Sequence, residues 1–423
     1  MKHNALLKHS AALLASILNG RSAADKAMER YFRENRELGV RDRGAVAETV
    51  YACLRRLAML RHAAGPDAPA TALVAVQLLT QQGWSARALE QAGYPERPGF
   101  EGRVLAERSR SLGAPDLPLE VRTNLPEWLA QRLVAQLGEE ETLRLAEALN
   151  QPATLDLRVN TVKADRATVQ AQLAEEGHVL EPTPYSPLGL RRADRAPLFK
   201  SPSFQAGLFE IQDEGSQLLG LLLEPKRREM VVDFCAGAGG KTLELGALMV
   251  NSGTLYAFDI VAKRLEKLKP RLARAGLDNV RSVVIGHERD ERVRRLAGKA
   301  DRVLVDAPCS GSGTVRRNPD IKWRPLNLDE ITATQQRILE AAATLVKPGG
   351  RLVYATCSLL REENEDIVNA FLAAHDTFHL VPVGEVLARR NIPLPDMGEM
   401  LRLYPHRHNT DGFFAAVLER KPL

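Results

Sequence analysis

Cysteine is scarce in this chain, with four in 423 residues, and the four lie far apart in the sequence. Structural metal sites need closely spaced cysteines or histidines, and small disulfide-bonded domains need many cysteines. We therefore expect no bound metal and no disulfide framework. Free thiols of this kind are typical of a reducing compartment, so the predicted location is the cytoplasm.

Long hydrophobic runs are also missing, because no segment approaches the roughly 18 uninterrupted apolar residues of a membrane-spanning helix. Polar residues interrupt the first ten positions, which lack the apolar core of a signal peptide. The content of hydrophobic residues, 44%, and of charged residues, 26%, is ordinary for a globular domain. We expect a soluble monomer without membrane association.

The chain also lacks an even distribution of charge. Its net charge is +5, and residues 1–65 hold 12 basic side chains against 6 acidic ones. A basic segment favours a polyanionic partner such as RNA, because neutralisation of phosphates drives non-specific binding of nucleic acids. A solvated helical surface with a surplus of basic residues explains the charge equally well. Charge alone leaves both interpretations open.

The hydrophobic pattern changes twice and predicts three domains. Apolar residues recur at helical spacing at first, a mixed pattern begins at Leu155, and strands alternate with helices from residue 231. The predicted domains are an all-α domain at 1–125, a small α+β module at 126–205 and an α/β domain at 206–423. The last is predicted to be a doubly wound, Rossmann-like parallel sheet, with strands at 231–235, 254–259, 280–285, 301–307 and 351–356. The helix at 329–346 is predicted to stop at the following glycine pair.

A glycine-rich loop, Ala236-Gly-Ala-Gly-Gly-Lys-Thr242, follows the first of these strands and opens a helix. Such a loop lets backbone N–H groups approach a ligand at a helix N-terminus. It fits neither phosphate-binding template, because Cys235 stands where a P-loop needs glycine and Thr242 where the dinucleotide fingerprint needs its third glycine. Asp259 ends the second strand 22 residues after Gly237, near the offset at which an acid binds ribose hydroxyls. The pair favours an adenosine ligand without phosphates, such as S-adenosylmethionine, although Asp259 as a simple helix cap is the alternative.

Three cysteines, Cys235, Cys309 and Cys357, stand at or just beyond the ends of predicted strands. In the usual doubly wound order, the fourth and fifth strands are neighbours, which places Asp306, Cys309 and Cys357 side by side. A single thiol at such a position is usually an inert core residue. Two thiols beside a carboxylate and a methyl donor instead suit methylation of a pyrimidine at carbon 5. One thiol adds to carbon 6, the carboxyl group stabilises the developing charge, and a second group helps to remove the carbon-5 proton. The chemistry does not say which thiol attacks.

At this point the chain resembles the NOL/NOP/Sun family of RNA cytosine-C5 methyltransferases, in particular its RsmB-type members. The resemblance rests on these stretches: Gln212-Asp-Glu-Gly-Ser, Asp233-Phe-Cys-Ala-Gly-Ala-Gly-Gly-Lys-Thr, Asp306-Ala-Pro-Cys-Ser-Gly-Ser-Gly-Thr, Arg317-Asn-Pro-Asp-Ile-Lys-Trp, Tyr354-Ala-Thr-Cys-Ser and Asp411-Gly-Phe-Phe. Arg41-Asp-Arg and Val50-Tyr-Ala-Cys-Leu-Arg are similar to a NusB-like RNA-binding domain. The resemblance implies methylation of 16S ribosomal RNA through a covalent cysteine–cytosine adduct; a tRNA substrate would need the same chemistry.

The resemblance also assigns roles to residues. It implies that Cys357 is the nucleophile, that Cys309 assists proton removal, and that Asp259 binds the ribose of S-adenosylmethionine. The rest of the cofactor site would be formed by Asp306 and by Cys235, Ala236, Gly237, Ala238, Gly239, Gly240 and Lys241.

Two positions depart from the family pattern. Ala238 replaces the usual proline of the glycine loop, and His287 replaces the aspartate that contacts the adenine amino group, so that Glu288 or a backbone group would have to substitute. These departures motivate a rival hypothesis, an RNA-binding ribosome-assembly factor with a degraded cofactor site. Retention of Asp306, Cys309 and Cys357 argues against it.

A basic segment follows the Cys309 loop directly. It mixes cations with an aromatic residue, which suits an RNA strand whose target base leaves its stack. The alternative is an ordinary charged loop. The predicted RNA contacts are Arg316, Arg317, Lys322, Trp323 and Arg324.

Overall fold

The computed structural model describes residues 1–20, 22–95, 97–114, 116–192, 197–395 and 397–422. Its contacts divide the chain into two units. The first unit contains Met1–Pro152 and Thr314–Pro325, and the second contains Ala153–Gly313 and Leu326–Leu423. The chain thus leaves the second unit after Gly313 and returns to it at Leu326. The predicted domain boundaries at 125/126 and 205/206 stay predictions.

The first unit is helical because its apolar residues recur every three or four positions, and each helix buries that stripe. In the first helix, Leu7, Leu14 and Ile17 point into the core. Its described helices are α1 (His3–Leu18), α2 (Ala24–Glu34), α3 (Val40–Arg55), α4 (Leu57–Ala64), α5 (Ala70–Gln81), α6 (Ala86–Gln91), α7 (Gly102–Arg108), α8 (Leu119–Thr123), α9 (Glu127–Leu137) and α10 (Glu139–Leu149). Their likeness to a NusB domain stays a prediction.

The second unit begins with a small antiparallel sheet. Its strands pair in the order β2-β3-β1-β4, and they are β1 (Leu155–Val159), β2 (Glu181–Pro182), β3 (Gly189–Arg192) and β4 (Phe209–Ile211). Helices α11 (Arg166–Glu175) and α12 (Pro202–Gln205) accompany them.

A larger sheet carries the predicted α/β domain. Its strands are β5 (Met230–Asp233), β6 (Thr254–Asp259), β7 (Val280–Val284), β8 (Ala300–Asp306), β9 (Val346–Thr356), β10 (Phe378–Val381), β11 (Leu401–Leu403) and β12 (Phe413–Arg420). Its helices are α13 (Glu214–Leu223), α14 (Gly240–Leu248), α15 (Ala262–Glu266), α16 (Leu268–Ala275), α17 (Glu291–Arg294), α18 (Leu328–Ala343), α19 (Glu365–Ala374), α20 (Val383–Arg389) and α21 (Pro405–His408).

The strand order is β10-β12-β9-β8-β5-β6-β7, with β11 paired to β12. Strands β5 to β9 pair in parallel, and β12 runs antiparallel to β9. This order confirms the predicted doubly wound, Rossmann-like sheet, in which β8 and β9 are neighbours and β8 lies beside β5. Both faces of β8 are buried, because Val303 and Val305 join one core cluster and Leu304 joins the other.

The predicted end of the helix before the glycine pair is wrong. Helix α18 ends at Ala343, and Gly349 and Gly350 lie inside β9. The register between β8 and β9 shifts there, because Ala300 pairs with Val346 whereas Arg302 pairs with Arg351. The extra residues of β9 form a bulge, and Gly349 adopts the positive φ of +73° that glycine tolerates.

Among the helices that the structure describes, none has the length and the apolar character that a membrane span requires.

Gly313 and Gly412 approach each other closely where the Cys309 loop meets β12. The Gly412 N–H donates to the Gly313 carbonyl at 2.8 Å, and the Gly313 N–H donates to the Cys357 carbonyl at 2.9 Å. A Cβ on Gly313 would lie 2.8 Å from the Gly412 Cα. This contact leaves no room for a side chain at Gly313.

We predict that Gly313→Ala destabilises the protein by about 1–3 kcal/mol, because backbone atoms must move to admit the methyl group. Urea unfolding followed by circular dichroism measures the change. Gly286→Ala is the control, since a Cβ there makes only an ordinary 3.5 Å contact with Asp290, and it should stay within about 0.5 kcal/mol. Equal stability of the two variants would contradict the close approach.

Candidate functional site

The two thiols of neighbouring strands lie together. Strands β8 and β9 are parallel with Asp306 opposite Ala355, so the loops that follow them leave the same edge of the sheet. The Sγ atoms of Cys309 and Cys357 are 3.3 Å apart, within hydrogen-bonding distance. Both cysteines are free and partly buried. This arrangement brings two potential nucleophiles to one point at the carboxyl end of the sheet.

Cys309 has a raised pKa in this pair. The hydrogen bond with Cys357 is the largest cause that raises the pKa of Cys309 well above its ordinary value, followed by burial and by the charges of Cys357 and Glu363. The assignment of Cys357 as the attacking sulfur stays a prediction.

Asp306 and Lys241 form an ion pair in the same part of the unit. Lys241 lies in the first turn of α14, and its Nζ is 2.7 Å from the Asp306 Oδ2. The Nζ also lies 5.9 Å from the centre of the Phe413 ring. Burial is the largest single effect and lowers the pKa of Lys241, but the charge and hydrogen bond of Asp306, with the charges of Cys357 and Asp233, together raise it overall. These neighbours favour the charged form of Lys241.

The glycine loop runs from β5 into α14. Gly237 and Gly239 adopt positive φ angles of +58° and +87°, and a Cβ on Gly239 would meet the side chain of Leu268. Two arginines hold the loop from outside. The Arg271 guanidinium donates to the Ala238 carbonyl at 2.6 Å, and that of Arg158 donates to the Gly240 carbonyl at 2.9 Å. Arg271 thereby restrains the loop where the family pattern has a proline.

Asp259 closes the other side of the loop. Its Oδ2 accepts the Gly237 N–H at 2.8 Å, and its Oδ1 accepts the Val261 N–H at 2.7 Å, just before α15. Helix α15 has no side-chain cap hydrogen bond, so the alternative of Asp259 as a simple helix cap is not borne out. Each carboxylate oxygen keeps a second lone pair, so these backbone contacts are compatible with binding of a ribose.

Asp233 adds a further acid beneath the loop. It accepts a hydrogen bond from the Thr242 hydroxyl at 2.6 Å. Burial raises the pKa of Asp233 to about 7, against the effect of that hydrogen bond and with help from the charge of Asp306. The sequence pattern did not single out Asp233, although it lies in the same motif.

His287 is exposed, and its Nδ1 accepts the Arg289 N–H at 3.1 Å. Glu288, the substitute considered from sequence, forms an ion pair with Arg337 at 3.3 Å. The carboxylate that is hydrogen-bonded to the backbone at this turn is Asp290, which accepts the Gly286 N–H at 2.8 Å. Sequence reasoning missed Asp290, although an acid just before Glu291 is a typical helix cap.

The third cysteine of the unit, Cys235, has different surroundings from the thiol pair. It packs against the core cluster that contains Phe234 and Phe258. Burial is the main cause that raises the pKa of Cys235 well above its ordinary value. An inert thiol at the base of the glycine loop is the result.

The basic segment that was predicted to contact RNA lies in the helical unit. The Lys322 Nζ is buried and donates to the Arg55 carbonyl and to the Asn150 Oδ1, both at 2.9 Å. The Trp323 indole donates to the Leu54 carbonyl at 2.6 Å. Arg316 is buried too. These residues anchor the chain where it crosses into the first unit.

The prediction that Arg316 and Lys322 contact RNA is therefore corrected, because both side chains are buried inside the helical unit. A buried lysine next to Arg55 is a structural residue. Arg317, Trp323 and Arg324 are partly exposed, and RNA contact by these three stays a prediction.

We predict that Lys322 makes the stability of the helical unit depend on pH. Burial, with a smaller contribution from Arg55, lowers the pKa of Lys322 well below its ordinary value. The unfolded chain then binds more protons, so the unfolding free energy rises with pH up to about 10.4, the ordinary lysine pKa. Where Lys322 is neutral in the folded protein and charged in the unfolded chain, the unfolding free energy rises by about 1.4 kcal/mol per pH unit, and Lys322→Met should remove most of this rise below about pH 10.4.

Tryptophan fluorescence during urea unfolding measures this effect, because all three tryptophans lie in the first unit. Lys26→Met, which removes an exposed lysine of α2, is the control and should keep the rise. An unchanged pH dependence in Lys322→Met would show that Lys322 is not the source.

Comparisons with known proteins identify the family that this chain resembles. Residues 220–419 match the family model of the 16S rRNA methyltransferase RsmB/F. Residues 125–197 match the ferredoxin-like domain of RsmF/B-like methyltransferases. The first match covers the glycine loop, Asp259, Asp306 and both thiols of the pair.

Individual relatives and structures extend the comparison. A protein of Synechocystis sp. named "Probable ribosomal RNA small subunit methyltransferase B" is 36% identical over 300 residues, 70% of this chain and 67% of that protein. The "28S rRNA (cytosine(4447)-C(5))-methyltransferase" of Homo sapiens is 32% identical over 335 residues, 76% of this chain and 40% of that protein. The crystal structure of PH0851 superposes with a TM-score of 0.76 at 29% identity, covering 98% of this chain and 99% of that one.

Proposed function

Because the chain belongs to the 16S rRNA methyltransferase RsmB/F family, we propose that it methylates carbon 5 of a cytosine in 16S ribosomal RNA with S-adenosylmethionine. The observation that carries the proposal is the 3.3 Å approach of the Cys309 and Cys357 sulfurs at the ends of two neighbouring parallel strands. Methylation at carbon 5 needs one thiol to attack and a second group to release the product.

The charges around the glycine loop fit S-adenosylmethionine. When bound, this cofactor supplies an electrophilic methyl group on a positively charged sulfur. Asp233, Asp259 and Asp306 surround the loop, and Lys241 is the cation paired with Asp306. The surplus of carboxyl groups suits a cationic ligand, and the free lone pairs of Asp259 suit the ribose hydroxyls.

Cys357 would open the reaction by forming a bond from its sulfur to carbon 6 of the cytosine, which makes carbon 5 nucleophilic. Asp306 would accept or donate a hydrogen bond at the polar edge of the ring and stabilise the charge that develops there. After methyl transfer, carbon 5 must lose its proton before the bond between Cys357 and carbon 6 can break.

Cys309 becomes suited to that second step only after the first. Cys357 is itself the largest cause of the raised pKa of Cys309. Once the Cys357 sulfur is bonded to carbon, this contribution to the raised pKa of Cys309 is lost. Cys309 would then release its own proton to solvent and, as the thiolate, accept the carbon-5 proton, so that the bond between Cys357 and carbon 6 can break.

The RNA contacts would fall on the helical unit and the small sheet module. A cavity of about 650 Å³ on the first unit is lined by Phe32, Arg33, Arg36, Arg43 and Glu29. Arg43 lies 6.0 Å from the centre of the Phe32 ring. Cations beside an aromatic ring suit an RNA strand. We also propose that the protein works as a cytoplasmic monomer, since one chain supplies both thiols and a reducing compartment keeps them free.

We predict opposite behaviour of the two cysteine variants. Cys309→Ala should accumulate a covalent protein–RNA adduct, because release fails after attack, whereas Cys357→Ala should form none. Incubation with transcribed 16S ribosomal RNA and S-adenosylmethionine, followed by denaturing electrophoresis, separates the outcomes. Cys53→Ala, a change inside the helical core, should behave as wild type. An adduct with Cys357→Ala instead would reverse the assignment.

We further predict that S-adenosylmethionine binds despite the departures at Ala238 and His287. Isothermal titration of the protein with S-adenosylmethionine, with and without transcribed 16S ribosomal RNA, should show one site per chain. Absence of binding in both titrations would favour the ribosome-assembly factor.

A further inference from the structure

A buried carboxylate lies beneath the two thiols and has no place in the mechanism so far. Glu363 follows β9 in a short 3-10 turn, Arg361–Glu363, and its side chain is fully buried. A buried carboxylate is costly unless donors surround it. The donors around Glu363 come from the two segments that carry Cys309 and Cys357.

The first set of donors follows Cys309. The Ser310 N–H donates to the Glu363 Oε1 at 2.7 Å, and the Ser310 hydroxyl donates to the Oε2 at 2.5 Å. Gln335 of α18 donates from one amide nitrogen to the Oε1 at 3.1 Å and to the Pro308 carbonyl at 2.9 Å. The residues on both sides of Cys309 are therefore tied to Glu363, one directly and one through Gln335.

The second set follows Cys357. The Ser358 hydroxyl donates to the same Oε2 and lies 3.2 Å from the Ser310 hydroxyl. The Tyr354 hydroxyl of β9 donates to the backbone carbonyl of Glu363 at 2.7 Å, which holds the backbone of Glu363 against the strand that precedes Cys357. One side chain thus bridges the residues that directly follow each thiol.

We infer that Glu363 is a positioning residue that holds Cys309 and Cys357 at the spacing the reaction needs, by tying Ser310 to Ser358. The inference rests on the proposed function for its catalytic meaning, while the spacing itself is a property of the folded protein. The Glu363 charge also contributes to the raised pKa of Cys309. Glu363 thereby favours the thiol form of Cys309 before Cys357 reacts.

Chemical cross-linking measures the spacing without RNA or cofactor. Diamide oxidises two neighbouring thiols to a disulfide and is itself reduced to the hydrazine by the two electrons and two protons that the thiols lose. Sulfurs 3.3 Å apart need little movement to reach the bonding distance. Wild-type protein should therefore form the Cys309–Cys357 disulfide quickly, as detected by peptide mass spectrometry.

Glu363→Gln should slow this cross-link by about tenfold, because an amide NH₂ replaces the Oε2 acceptor shared by the two serines. Its kcat should fall by about 100-fold with an unchanged KM for S-adenosylmethionine, because only the thiols are displaced. Asp366→Asn, which removes an exposed carboxylate of α19, is the matched control and should match wild type in both measurements. Cross-linking at the wild-type rate in folded Glu363→Gln would overturn the inference.

A second variant covers the case in which Glu363→Gln does not fold. Ser358→Ala removes the hydroxyl that ties the Cys357 segment to Glu363 and leaves the carboxylate its Ser310 and Gln335 donors. It should also slow the cross-link, and a wild-type rate would count against the inference. Because the cross-link needs no substrate, it stays informative even if the protein proves to have no methyltransferase activity. If either variant lost activity but formed the cross-link at the wild-type rate, the positioning role would be contradicted and the proposed function would not.

Discussion

The parallel register of β8 and β9 is the constraint on which the site depends. Asp306 lies opposite Ala355, so the segments that carry Cys309 and Cys357 leave the sheet side by side. A slip of one residue would exchange the side chains that a strand presents to the two core clusters and would displace the segment that follows it. The packing of the core on both faces of β8 therefore fixes the position of the thiols as well as the fold. Gly313 and Gly412 contribute by letting the Cys309 loop lie against β12.

Around this constraint, two charged groups of the site have defined partners. The partly buried Lys241 is paired with Asp306, and the buried Glu363 carboxylate is surrounded by donors from both thiol segments. The two sulfurs are hydrogen-bonding partners of each other. In the proposed mechanism, this one site supplies both the nucleophile and the group that assists proton removal.

Much of this arrangement could be predicted from sequence, because local patterns determine it. The glycine loop, Asp259 and the strand-end cysteines each follow an apolar run, and parallel strands bring their carboxyl ends to one edge. The strand order confirmed that expectation. The early end of α18 could not be foreseen, since the bulge in β9 depends on its pairing with β8.

For other charged and aromatic residues, the sequence pattern does not show whether the side chain is exposed or buried. Lys322 and Trp323 have the composition of an RNA-binding loop, but the chain crosses into the helical unit there and uses them as anchors. Glu363 stands in an acidic run that reads as a solvated helix start, and only the tertiary fold brings Ser310 and Ser358 to it. Long-range hydrogen bonds of this kind leave no periodic signal in the sequence.

The central claim is that the Cys357 sulfur attacks the cytosine and that Cys309 assists removal of the carbon-5 proton. Peptide mapping of the wild-type protein after reaction with S-adenosylmethionine and 16S ribosomal RNA transcribed with 5-fluorocytidine tests this most directly, because after methyl transfer the fluorine at carbon 5 cannot leave as a proton does and the adduct persists. The account predicts that the nucleotide mass lies on the peptide containing Cys357. Its presence on the peptide containing Cys309 would contradict the account.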